Sequence, residues 1–129
     1  MNKKNSLLLF LPFWLIGCNK SPGEGGTSSI SGKLYRIETN VFGDTLAEYY
    51  APDRDVYIVY GGEDPIYDDK FSTSYDGSYA FHNLTKGNYK IFAYSRCDTC
   101  ASGDTIVSKT VVVSEKKTNY QLEDLVVYK

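Results

Sequence analysis

A chain of 129 residues, 42% hydrophobic and 23% charged, is one domain's worth of globular protein, and it is neither collagenous, disordered nor polytopic. Fourteen basic against sixteen acidic side chains leave a net charge of −2, with no basic block beyond Lys3 and Lys4, which argues against nucleic acid as a partner. Twelve Tyr and six Phe beside a single Met and a single Trp favour strands over helices, so the expected fold class is all-β.

The amino terminus reads as an address. Lys3 and Lys4 precede an apolar run, Leu7 to Ile16, that is broken only by Pro12 and ends at Gly17 and Cys18, the layout of a secretory signal over residues 1–17. The run is half the length of about twenty residues that a membrane-crossing helix needs. Leu15, Ile16, Gly17 and Cys18 resemble the bacterial lipobox. That resemblance implies acylation of Cys18, anchorage to a membrane at the bacterial cell envelope and, with Asn19 rather than Asp next to it, the outer membrane. Two or more acyl chains suffice for stable anchoring at about 0.8 kcal/mol per buried methylene. Residues 19–29 have no apolar side chain and are dominated by Gly, Ser and Pro, so 18–29 is expected to be the lipidated Cys and a flexible tether.

From Ile30 to Lys129 short β-rich runs alternate with turn residues, predicting a single antiparallel β-sandwich of about seven strands. The first strand lies in Ile30–Thr39, with Leu34 and Ile37 expected inward. A long polar loop, 40–55, carries at most an edge strand near Leu46–Tyr50, and Val56–Tyr60 follows with Val56, Ile58 and Tyr60 on one face. A strand over Tyr67–Tyr75 is expected to turn at Asp76-Gly77 into a hairpin partner, Ser78–Asn83, with Tyr79 and Phe81 inward and His82 solvated. Asn88–Tyr94 alternates with Tyr89, Ile91 and Ala93 inward, and Thr105–Val113 and Asn119–Tyr128 supply the last two strands.

Gly77, Tyr79, Phe81, Leu84, Gly87 and Tyr89 resemble the pattern of the carboxypeptidase regulatory-like domain, a transthyretin-like sandwich related to Cna B-type modules, and the likeness extends over about residues 30–128. It implies an immunoglobulin-like or prealbumin-like sandwich and a non-catalytic accessory role, since the matched residues shape turns and core. Cna B-type domains sometimes crosslink Lys to Asn, which makes Lys33 and Asn119 candidates. The 33–55 connection and the loop after Tyr94 depart from the pattern, and loops of this kind carry individual function.

Three chemistries compete for Cys97-Asp-Thr-Cys100: a structural disulfide, a redox dithiol and a metal site. An exported chain favours the disulfide, a dithiol catalyst expects a helix start that the sequence lacks, and zinc would need ligands beyond His82, the only histidine. Asp53, Asp55, Asp64, Asp68 and Asp69 offer oxygens for calcium without EF-hand spacing. No Gly-x-Ser-x-Gly is present, so neither an enzyme nor a cofactor is expected. Tyr49, Tyr50, Tyr57, Tyr60 and Tyr67 cluster in sequence around the long loop as candidate contacts for a glycan or an envelope-protein partner. The expected function is a lipid-anchored binding or structural module; thiol–disulfide exchange at Cys97 and Cys100, or glycan- or calcium-dependent adhesion, are the alternatives.

Overall fold

The computed structural model describes residues 21–62 and 65–129; the leader and Cys18 lie outside them. Nine strands follow one another: β1 (Glu24–Thr39), β2 (Thr45–Tyr50), β3 (Asp55–Tyr60), β4 (Asp69–Ser72), β5 (Ser78–Leu84), β6 (Gly87–Arg96), β7 (Asp104–Val113), β8 (Asn119–Gln121) and β9 (Leu125–Tyr128), with no helix among the described residues. They form the two layers of a β-sandwich. One layer is centred on β1, which pairs antiparallel with β5 and then β2 along one edge, and parallel with β8 and then β9 along the other. The second layer has the order β4-β3-β6-β7, antiparallel throughout.

The alternation of each strand decides what fills the space between the layers. Ile30 and Leu34 from β1, Val56 and Ile58 from β3, Tyr79 and Phe81 from β5, Tyr89 and Ile91 from β6, and Leu125 and Val127 from β9 form the core. Tyr89, Ile91 and Ala93 face inward and His82 is exposed, as their alternation predicted.

Several boundaries differ from the expectation. Residues 24–29, expected in the tether, already belong to β1, and Ser28 is buried with its hydroxyl donating to the Glu115 carbonyl at 2.6 Å. Small residues stand there because the chain passes against the β5–β6 turn: a Cβ on Gly26 would collide with the Leu84 carbonyl. Composition alone reads such a stretch as flexible. The strand count rises from seven to nine because the edge strand β2 forms and the last segment breaks at residues 122–124 into β8 and β9.

The expected hairpin at Asp76-Gly77 is not one. The turn is tight, with Gly77 at φ 77° and the Asp76 carboxylate accepting the Ser78 N–H and hydroxyl, yet β4 joins β3 and β5 joins β1, so the turn carries the chain from one layer to the other. Ile37 is only half-buried and the inward row of β1 continues instead to Arg36, because Ile30, Gly32, Leu34 and Arg36 share parity.

A candidate ligand-binding face

The outward face of the second layer gathers four aromatic rings. Antiparallel pairing places Tyr57 of β3 opposite Phe92 of β6, and the two rings stack with centroids 5.0 Å apart and planes 18° from parallel. Tyr94, two residues along β6, stands edge-on to both, at 5.5 Å from Tyr57 and 5.8 Å from Phe92. Tyr67, from the segment before β4, leans on Tyr57 at 4.7 Å. Phe92 is 5% exposed and serves as the base, whereas Tyr67 at 42% and Tyr94 at 58% present their rings to solvent. Lys90 Nζ lies 5.8 Å above the Phe92 ring. Burial, and then the nearby Asp55 carboxylate, push the Tyr57 hydroxyl above its usual pKa, so it is a neutral donor and acceptor.

A groove of about 240 Å³ adjoins this face, lined by Tyr57 and Tyr94 together with Arg36, Arg54, Asp55 and Tyr128. A larger cavity, about 690 Å³, lies between Pro22–Ser28, the β5–β6 turn and Glu115–Lys116, but no aromatic ring lines it.

The five tyrosines singled out by sequence separate into three places. Tyr57 and Tyr67 meet on the aromatic face. Tyr49 and Tyr50 belong to β2 in the other layer, where the Tyr49 hydroxyl donates to Glu38 at 2.7 Å and the Tyr50 hydroxyl to Asp124 at 2.9 Å. Tyr60, three residues from Tyr57, points to the opposite side of β3 and packs edge-on against Tyr89, 5.9 Å away; burial raises its pKa to about 12. Sequence reasoning missed Phe92, Tyr94 and Arg36. Their signal was present in the alternation of Asn88–Tyr94 and Ile30–Thr39: fixing the inward row of β6 fixes the outward one, and counting from Ile30 puts Arg36 inward.

Cys97 and Cys100 are disulfide-bonded, Cα atoms 5.4 Å apart, in the turn between β6 and β7. That turn is held by Cys97 N–H to the Gly103 carbonyl at 2.8 Å, and by Arg96, which donates to the Thr39 hydroxyl at 2.6 Å and pairs with Asp98 at 3.1 Å. The candidate calcium carboxylates are engaged separately: Asp53 accepts the Ser72 hydroxyl, Asp55 pairs with Lys70, Asp68 accepts the Tyr60 N–H and Asp69 the Lys70 N–H. Asp64 lies outside the described residues. Lys33 and Asn119 are not register partners: Asn119 is opposite Ser29 and accepts from the Ser29 and Ser31 hydroxyls, while Lys33 pairs with Asp76 at 3.9 Å.

No family model matches the chain, and no curated protein matches it. Among solved structures it is similar to a Pseudomonas aeruginosa protein, offered by its name as a candidate carbohydrate binding protein, with 18% identity, 83% of this chain and 91% of that chain covered, and a TM-score of 0.50. At that identity the likeness bears on the fold, which the two chains share.

Proposed function

We propose that the chain is a non-catalytic glycan-binding module of the carboxypeptidase regulatory-like type, exported and held at the bacterial envelope, with the outer membrane favoured, by acylation of Cys18. The observation that carries the reading is the group of Tyr57, Tyr67 and Tyr94 set on the buried ring of Phe92, whose flat apolar rings and hydroxyls suit the mixed apolar and polar faces of a sugar. Contiguous exposed aromatic surface of this kind is uncommon on a monomer unless something binds there. The fold shared with the Pseudomonas aeruginosa protein adds support.

Titration of the full-length protein with a panel of neutral and acidic oligosaccharides, by calorimetry, tests it. A binding glycan whose affinity falls about tenfold or more in Tyr94→Ala, a loss of about 1.4 kcal/mol, is the expected result. Tyr94 is far enough exposed to be replaced without loss of core. A panel without a binder, or a binder indifferent to both Tyr94→Ala and Tyr57→Ala, overturns the reading. Anchorage is tested by incorporation of a labelled fatty acid, which Cys18→Ala should abolish.

A further inference from the structure

We propose that the groove beside the aromatic face is a carboxylate subsite, in which Arg36 and Arg54 hold the acid group of a uronic-acid-containing glycan while Tyr57 and Tyr94 contact its ring. The proposal rests on the glycan-binding reading and narrows its ligand class.

Arg36 is the observation that demands an explanation. It occupies the inward row of β1 and is 9% exposed as a residue, so its aliphatic stem is buried while its charged head opens to the groove. Its backbone is paired with β2 and β9, but its guanidinium has no side-chain hydrogen bond or ion pair among the described residues, and its nitrogens are not sealed from solvent as the Tyr79 hydroxyl is. Its charge is felt at Glu38 and Tyr49. The Glu38 carboxylate, however, is occupied by the Tyr49 hydroxyl at 2.7 Å and by Lys129 at 3.5 Å. Arg36 instead lines the groove, where Arg54 stands as a second guanidinium without an ion pair among the described residues. The one carboxylate lining the groove, Asp55, is shared with Lys70 at 3.9 Å, so the lining is cationic.

The ligand chemistry follows from these groups. A guanidinium offers a planar fork of donors that matches a carboxylate, and two of them at one mouth favour an anion over a neutral hydroxyl. The groove, about 240 Å³, holds on the order of eight water volumes, the scale of one sugar ring with its acid group. Tyr57 and Tyr94 belong both to the groove and to the aromatic face, so a ring lying on them directs its carboxylate toward the arginines.

The test compares trigalacturonic acid with its methyl ester, titrated into the full-length protein, Arg36→Met, Arg54→Gln and Tyr94→Ala. The acid is expected to bind at least about tenfold more tightly than the ester, each arginine substitution should bring the acid to the ester's affinity while leaving the ester unchanged, and Tyr94→Ala should weaken both. Arg36→Met should leave the thermal midpoint near that of the parent, since no side-chain hydrogen bond or ion pair is lost and the attraction to Glu38 is shared with Lys129; if that variant fails to fold, Arg54→Gln, at an exposed site, still decides. Equal affinity for acid and ester, or an acid preference that survives Arg54→Gln and Arg36→Met, overturns the subsite and leaves the glycan reading standing. Absence of binding by either compound and by the neutral panel overturns both.

Discussion

Two Tyr→Phe substitutions remove the same atom from the core and should move stability in opposite directions. The Tyr89 hydroxyl donates to the Thr85 carbonyl at 2.7 Å and accepts the Gly23 N–H at 2.9 Å, fastening the start of the described chain to the β5–β6 turn. Tyr89→Phe leaves that buried N–H without its acceptor, a loss of about 2 kcal/mol, or about 8 °C in melting temperature for a domain of this size. The Tyr79 hydroxyl is buried above Gly32 and has no hydrogen-bond partner among the described residues. Its desolvation is uncompensated, and burial raises its pKa to about 12. Tyr79→Phe should therefore be stabilising by about 1 kcal/mol, about 4 °C upward. Urea unfolding followed by far-ultraviolet circular dichroism reads both. Equal shifts of the same sign would refute the reasoning, because the two phenols would then differ only in ring packing and not in the fate of their hydroxyls.

Three further outcomes follow from neighbouring features. Gly32→Ala drives a Cβ into the Tyr79 hydroxyl and should cost about 1 to 3 kcal/mol, with part of that cost recovered in the double variant carrying Tyr79→Phe. Tyr60 and Tyr79 both titrate near 12 in the folded chain against about 10 when unfolded, so the unfolded chain loses these protons first and the folded state loses stability as pH rises from 10 to 12, with no such effect below pH 10. Melting temperatures measured over that window should fall less steeply in the double Tyr60→Phe, Tyr79→Phe variant, and an unchanged slope would remove these two groups from the account. Replacing Cys97 and Cys100 by Ser opens a four-residue ring and should cost about 2 kcal/mol in the chain-entropy description while leaving the proposed glycan binding unchanged. A loss of binding with the fold preserved would move function to that turn.

The inward rows of β3 and β6, Val56, Ile58 and Tyr60 and then Tyr89, Ile91 and Ala93, were legible from parity within one strand even though Val59 and Phe92 on the other face are also buried, and the same rule places Tyr79, Phe81 and His82 on β5. What sequence did not resolve lies one level higher, in which strand neighbours which. Asp76-Gly77 specifies a tight turn, but the same local chemistry serves a hairpin and a crossing between layers; the choice is made by β4 finding β3 and β5 finding β1 at long range. The Gly- and Ser-rich residues 24–29 misled for a related reason. Small side chains are what a tether needs, and also what a strand needs where another backbone passes within contact of it.

The same distinction separates the two tyrosine groups of the candidate site. Nearness in sequence joined Tyr57 with Tyr60, yet a strand sends residues three apart to opposite faces, so Tyr60 packs against Tyr89 while Tyr57 faces outward. The partners of Tyr57 come instead from β6, more than thirty residues on, through the register that sets it opposite Phe92. Phe92 and Tyr94 do not fill the space between the layers, where Tyr89, Ile91 and Ala93 already serve; they add apolar area to the outward face. Arg36 departs from its row in the opposite sense, placing a charge where Ile30 and Leu34 establish an apolar one. The outward rings of Tyr57 and Tyr94 and the cation of Arg36 both run against the pattern that folds the chain, and they meet at one groove, the arrangement on which the proposed ligand site rests.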